Sequence, residues 1–328
     1  MGRRIPLLVV VASLWAAAPA KAQSLSFLLV QTSPASTAIA LGGGGTTGTA
    51  RVRVSVPGGF TLNLVRPVGA VLGRGSLVLA SAANPGGEGA TTEGDLVVAD
   101  PARYAGNARL QACAPGPHAA VWRIEPLDVP IFVDPATGPD AVLGGYDLRV
   151  CFDLASGFSF AGLSLDLERT ITPPAAPGIY LWRAFVTPVT ATGTTDEGGT
   201  FEARAIVPWP AVLSLHARHA KGKARYVLYG RLVLGGRPRG GATIRILRFD
   251  PDTSSGTIFA IGRGAGSETN RAGRFHKVVR VTRRTGFLAF WFPFPREGCS
   301  SPSSAPGGCV SETTAPALSR PLFVRGGG

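Results

Sequence analysis

Apolar side chains recur at every second position along most of this chain, with glycine or proline standing between the runs. Val52, Val54 and Val56 alternate with Arg51, Arg53 and Ser55, and Leu163, Leu165 and Leu167 alternate with Ser164, Asp166 and Glu168. A period of two buries one face of a strand and wets the other, whereas a helix needs a period near 3.6. Between the runs lie Pro57-Gly58-Gly59, Asn84-Pro85-Gly86-Gly87 and Asp196-Glu197-Gly198-Gly199, residues that set or permit turn dihedrals. With 44 glycines and 27 prolines there is little room for long helices. Eleven short strands are expected at 25–30, 50–56, 59–64, 76–81, 95–99, 120–125, 130–134, 146–153, 163–170, 179–187 and 201–207. So many strands without a helical stretch read as an antiparallel sandwich.

A length of 328 residues fits about two domains. The best boundary is Val207-Pro208-Trp209-Pro210, two prolines around one aromatic, which makes a stiff and short connection. The expected fold class is all-β, with two β-sandwich domains in tandem over residues 23–208 and 211–328. Residues 1–22 are set aside as a signal peptide: Arg3 and Arg4 start it, an apolar run follows, and Ala20-Lys21-Ala22 supplies the cleavage site. That run is shorter than the roughly 20 residues a membrane span needs, so the expectation is a secreted or cell-envelope protein without a span.

Four cysteines in an exported chain imply two bridges, with three possible connectivities. Local pairing favours Cys113 with Cys151 and Cys299 with Cys309, contributing ~4 and ~3 kcal/mol by loop-closure arithmetic. The first pair is expected to clamp the sheets together. Neither a C-x-x-C nor a C-x-x-H spacing occurs, which argues against zinc.

The net charge of +13 is unevenly divided. Residues 23–209 hold 11 basic and 15 acidic side chains, while residues 210–328 hold 19 basic and 5 acidic. A basic second half suits an anionic polymer or surface. The competing account is codon bias: 29 arginines against 4 lysines, with abundant alanine and glycine, is the mark of a GC-rich genome acting on solvent-facing positions. No nucleic-acid motif is present.

In the second half Tyr226, Leu228, Leu232 and Leu234 are expected to face inward and Arg225 and Arg231 outward, with Arg245 outward between Ile244 and Ile246. Phe275, Val279 and Val281 form an apolar row opposed by His276, Arg280 and Arg284, while Lys277 and Val278 break the pattern as a bulge or edge would. Gly236-Arg237-Pro238-Arg239-Gly240-Gly241-Ala242-Thr243-Ile244 and Thr269-Asn270-Arg271-Ala272-Gly273-Arg274-Phe275 resemble the G-x-P-x-x-G-A-x-V core and T-x-x-x-G-x-F strand entry of carboxypeptidase-regulatory-like domains. The resemblance covers roughly residues 212–290 and implies a prealbumin-type, immunoglobulin-like sandwich. Such modules serve as spacers, adhesin segments or accessory domains, so no activity comes with it. The first half is similar to the front of uncharacterised exported bacterial proteins.

Residues that could carry chemistry are few. His216 and His219, three apart on a strand, fall on opposite faces and cannot share a metal. His118 stands in a proline-rich turn. Gly157-Phe158-Ser159-Phe160-Ala161 lacks the second glycine and the strand–turn–helix setting of a nucleophile elbow. Asp166 and Glu168 share one strand face that reads as solvated. The glycine-rich stretches at 42–45 and 262–266 have no following helix to hold a phosphate. Asp250 and Asp252 offer oxygen ligands for calcium, but Ile261 stands where an EF-hand needs its bidentate acid, and an Asx turn is the plainer account.

The run from Phe287 to Phe294 is apolar on both faces. With Leu288, Phe290 and Phe292 in the core, Phe287 and Trp291 would point outward, to cover a domain interface or to stack on a sugar. The expectation is therefore an exported protein with no catalytic set and no cofactor. It would bind anionic envelope polymer through Arg225, Arg231, Arg245, His276, Arg280 and Arg284. Carbohydrate binding through Trp291 is the alternative, and a secreted hydrolase with a cleft of convergent polar groups is a third.

Overall fold

The structure, a computed structural model, describes residues 27–42, 49–81, 90–152, 158–190, 194–222, 224–251, 258–260, 266–293, 296–297 and 311–325. The leader, Cys299, Cys309, Asp252 and most of both glycine-rich stretches lie outside them. The described chain is all-β; one short α-helix, Ala108–Cys113, and three 3-10 turns are its other regular elements.

The first half contributes β1 (Phe27–Thr32), β2 (Ser36–Gly42), β3 (Thr49–Val56), β4 (Thr61–Leu62), β5 (Val71–Ser81), β6 (Ala90–Ala99) and β7 (Ala120–Ile124). It continues with β8 (Val129–Pro135), β9 (Tyr146–Cys151), β10 (Phe158–Glu168), β11 (Ile171–Thr172), β12 (Gly178–Pro188) and β13 (Phe201–Trp209). Strand β2 was not expected, because Ser36–Gly42 is built largely of small residues; Ile39 and Leu41 are its buried apolar side chains.

Eleven of these strands form one continuous ladder, in the order β1-β2-β10-β5-β6-β7-β8-β9-β3-β12-β13. It is a single sheet rolled around a single core, where two stacked sheets were expected. Trp122, Trp182, Phe160, Leu28 and Ile131 from far-apart strands meet inside it. The rolling needs close backbone approach at one place. Gly75 of β5 lies directly opposite Gly94 of β6. A Cβ on Gly94 would stand 1.3 Å from the Glu125 carbonyl oxygen, where the chain leaving β7 passes over the pair.

A second, smaller cluster lies on the outer side of β7 and β8. Tyr104, Leu110 and Ala114 come down on Val121, Phe132 and Cys151. The covering segment is shaped by two caps: Asp100 accepts from Ala102 N–H and Asn107 accepts from the N–H groups of Arg109 and Leu110. Cys113 ends the helix and is bonded to Cys151 at the end of β9. The bridge therefore fastens a helical cover to one sheet; it does not clamp two sheets.

The second half has two facing sheets. In one, β14 (Ala211–Leu213) and β15 (His216–His219) flank successive parts of β16 (Arg225–Leu234), which also pairs with β17 (Arg237–Pro238) and β21 (Arg274–Arg280). In the other, β18 (Thr243–Phe249) pairs with β19 (Ile258–Ala260), β20 (Ser267–Glu268) and β22 (Thr285–Trp291). Leu228, Leu232 and Phe275 of the first sheet share a core with Ile244, Ile246 and Phe287 of the second. Gly273 takes φ +72, and a Cβ there would lie 2.4 Å from the Leu232 carbonyl oxygen, so its place in the strand-entry motif is enforced by the backbone.

Past β23 (Arg296–Glu297) the chain returns to the first half. Strand β24 (Ser311–Thr314) adds in parallel to β13, with β23 outside it. It also reaches β1, because the Thr313 hydroxyl donates to the Leu28 carbonyl oxygen. Ala315 joins the first core, Ala317 joins the second, and β25 (Ala317–Leu318) and β26 (Leu322–Val324) finish the sheet of β22. The first core thus runs to Val207 and the second begins at Leu213, but Arg296–Glu297 and Ser311–Thr314 belong to the first sheet. At that boundary Trp209 Nε1 donates to the Pro174 carbonyl at 2.8 Å, holding the ring to the first half.

Gly94→Ala is expected to cost more than about 3 kcal/mol or to prevent folding, since neither backbone can yield. Gly106→Ala, at a position with no atom within 4 Å of the new Cβ, should stay within ~0.5 kcal/mol. Urea unfolding midpoints of the two variants check this.

Candidate functional site

The outer face of β15, β16 and β21 gathers side chains from three strands by register. Directly opposite residues of an antiparallel pair point the same way, so each row can be read across the sheet. Arg225 faces Arg280, and Arg231 faces Arg274. Between these rows Arg218, Val227 and Val278 form one line, and His216, Tyr229 and His276 form the next. Arg225, Tyr229, Arg231, Arg274, His276 and Arg280 are all exposed.

Two arginine pairs set directly opposite one another repel, which is an unfavourable arrangement for a sheet. Arginines also lie opposite one another in the first half, Arg53 with Arg149 and Arg183 with Arg204, but there acids stand beside them: Asp140 lies 2.7 Å from Arg53, and Glu202 lies 2.9 and 2.8 Å from Arg183 and Arg204. On the second-half face, Arg218, Arg225, Arg231, Arg274 and Arg280 have no ion pair with an acid among the described residues. Arg231 Nε donates to the Ala272 carbonyl at 3.1 Å, and the Arg218 guanidinium lies 6.0 Å from the centre of the Tyr229 ring. The face has two hollows. One of about 500 Å³ is lined by Arg218, Tyr229, Asn270, Arg274 and His276, and one of about 400 Å³ by Arg225, Val278 and Arg280.

Four of the six cations expected to act together, Arg225, Arg231, His276 and Arg280, do lie on this face. Arg245 and Arg284 do not. Arg245 is in β18, opposite Phe290 on the other sheet, and Arg284 stands at the start of β22 with its guanidinium 5.9 Å from the Phe323 ring centre. Alternation separates inward from outward but does not say which of two outer faces a residue joins. Arg218, Arg274 and Tyr229 were missed, although 274, 276, 278 and 280 share one parity, as do 225, 227, 229 and 231. The break at Lys277 and Val278 is an edge, not a bulge, since the β16–β21 register is unbroken.

Trp291 is buried, with 8% of its surface exposed, in the core of the second half. This overturns both the outward Trp291 and the proposed core row of Leu288, Phe290 and Phe292. The reason is pairing: Ile246 faces inward and lies opposite Ala289, so parity puts Phe287, Ala289 and Trp291 inside. Asp250 is half-buried and its Oδ2 lies 3.3 Å from an Arg283 nitrogen, a cation already supplied by the chain. His216 and His219 lie on opposite faces against Tyr229 and Tyr226, with ring centres 5.5 and 4.6 Å apart. Ser159 lies within β10, paired with Ala80, and not on a sharp turn.

One polar group in the first half escaped the sequence reading. Ser55 is fully buried and its hydroxyl donates to Asp147 Oδ1 at 2.7 Å. Asp147 lies between Ser55 and Asp134 in register, while His118 Nδ1 is 2.8 Å from Asp134 Oδ2 and its Nε2 is 3.2 Å from the Ala114 carbonyl. Ser55 and His118 thus engage different carboxylates, and no substrate can reach a wholly buried hydroxyl. Burial pushes the Asp147 pKa up, against the opposing pull of Ser55 and Arg53.

No protein-family model matches the chain, and no curated protein matches it. The resemblance of 212–290 to carboxypeptidase-regulatory-like domains rests on its motif residues.

A raised folded-state pKa means that the contribution of Asp147 to stability is full below its unfolded value of about 3.9 and is lost as pH rises through the folded value. Asp147→Asn keeps an acceptor for Ser55 and removes the buried charge. It should be more stable than the wild type at pH ~7 by urea midpoint, with the advantage shrinking toward pH ~3.

Proposed function

We propose that this chain is an exported, non-catalytic protein of the cell envelope that holds an anionic polymer on the outer face of β15, β16 and β21. The observation that carries the reading is the pair of opposed arginine rows, Arg225 with Arg280 and Arg231 with Arg274, left without acidic partners. Codon bias accounts for the number of arginines in both halves. It does not account for the contrast between opposed first-half arginines that share an acid, as Arg183 and Arg204 share Glu202, and the second-half rows, which have no acid among the described residues. Such a local stability cost is the usual mark of a surface kept for binding. The features 1–22 of a signal peptide support export, and the spacer and accessory roles of carboxypeptidase-regulatory-like domains are in keeping with a module that presents a face. Among the described residues no helix is long and apolar enough to cross a membrane.

Calorimetric titration of the mature protein with dextran sulfate tests the reading. Affinity should fall about a hundredfold between ~50 and ~200 mM salt, the scale for four or five cations that release about 0.7 counterion each. Arg225→Ser with Arg280→Ser should weaken binding about tenfold and raise the urea midpoint, because one row of like charges is gone. Salt-insensitive binding, or an unchanged affinity in the double variant, would remove the proposal.

A further inference from the structure

Charge alone does not explain the ring at the middle of this face. Tyr229 is 40% exposed, with His216 opposite it on one side and His276 on the other. The ring has His216 against it, ring centres 5.5 Å apart, and the Arg218 guanidinium 6.0 Å from its centre, so its exposed part belongs to a flat aromatic and cationic platform on which a ligand face can rest. The hollow around Tyr229, of about 500 Å³, falls in the size range of small-ligand sites and is rimmed by Arg218, Asn270 and Arg274.

Resting on the polymer-binding reading above, we propose that this hollow takes a pyranose ring bearing a carboxylate, so that the polymer is an acidic polysaccharide. The C–H face of the sugar lies on the Tyr229 ring, and Arg218 and Arg274 receive the carboxylate, a group whose two oxygens match the guanidinium fork. Asn270 Oδ1 already accepts from the N–H groups of Ala272 and Arg274, which fixes the amide and leaves its NH₂ to donate to a sugar hydroxyl. The second hollow, at Arg225 and Arg280, lies four residues further along β21, ~14 Å at ~3.4 Å per residue. A polysaccharide laid along the strand reaches both, meeting a ring platform first and an arginine pair next. A bare polyphosphate has the charge but no flat apolar face, and would leave Tyr229 unused.

The test titrates the mature protein with oligogalacturonate, with linear polyphosphate of equal charge, and with single-stranded oligouridylate. Tyr229→Ala should weaken oligogalacturonate binding about tenfold, Tyr229→Phe should retain it, and polyphosphate binding should change in neither. Tyr229→Phe should unfold at the wild-type urea midpoint, and Tyr229→Ala, which loses the contact with His216, at a slightly lower one while staying fully folded in the titration, which separates loss of stacking from loss of fold. An unchanged oligogalacturonate affinity in Tyr229→Ala overturns the sugar assignment, and so does an equal loss for polyphosphate. Tighter oligouridylate binding with the same Tyr229 dependence would give the hollow to a nucleobase and likewise overturn it. Polyphosphate binding that depends on Arg225 and Arg280, with no oligogalacturonate binding, sinks the sugar assignment alone. No binding to any of the three sinks the polymer reading as well.

Discussion

The whole architecture depends on one requirement: a backbone N–H or C=O taken out of water must find a partner. In an all-β chain that requirement falls on the sheet edges. The first half meets it by rolling one long ladder, with β24 covering the free edge of β13 and the Thr313 side chain reaching the Leu28 carbonyl. Side-chain burial follows from the rolling. Alternate residues of eleven strands converge on one interior, and the outward residues of β7 and β8 need a cover of their own, supplied by Tyr104 and Leu110.

The electrostatics of the two halves differ in arrangement as well as in amount. In the first, Glu202 alone holds two arginines, and its carboxyl is kept below the usual carboxylate range by Arg204 and Arg183 despite partial burial. Such exposed or half-exposed pairs add little stability, but they offset part of the arginine charge where it stands. In the second, cross-strand register sums the charges of Arg225, Arg280, Arg231 and Arg274 on one surface, so the field is local and directed outward.

Local pattern made most strands and the inward faces of β16, β18 and β21 legible, because parity follows directly from side chains such as Leu228, Ile244 and Phe275. It could not choose between two parities in β22, where Phe287, Leu288, Phe290 and Trp291 are all apolar; only the partner strand decides. It missed β2, whose small residues give a weak periodic signal, and the helix ending at Cys113, which is too short to show a period. Above all it could not show that Ser311–Thr314 leaves its own half, since nothing within four residues records a partner so far away in the chain. The binding face was half legible for a related reason: single strands announce which residues point out, and only register tells which of them become neighbours.

The return of β24 also sets an order of events. The contact between Leu28 and Thr313 spans 285 residues, so β13 keeps an open edge until nearly the entire polypeptide is available. A chain cut short in its second half is therefore harmed at its beginning, with β13 left as a bare edge. Conversely, tension or cleavage applied to the second half is felt at β1, because the two halves are stitched through each other and not merely strung in line.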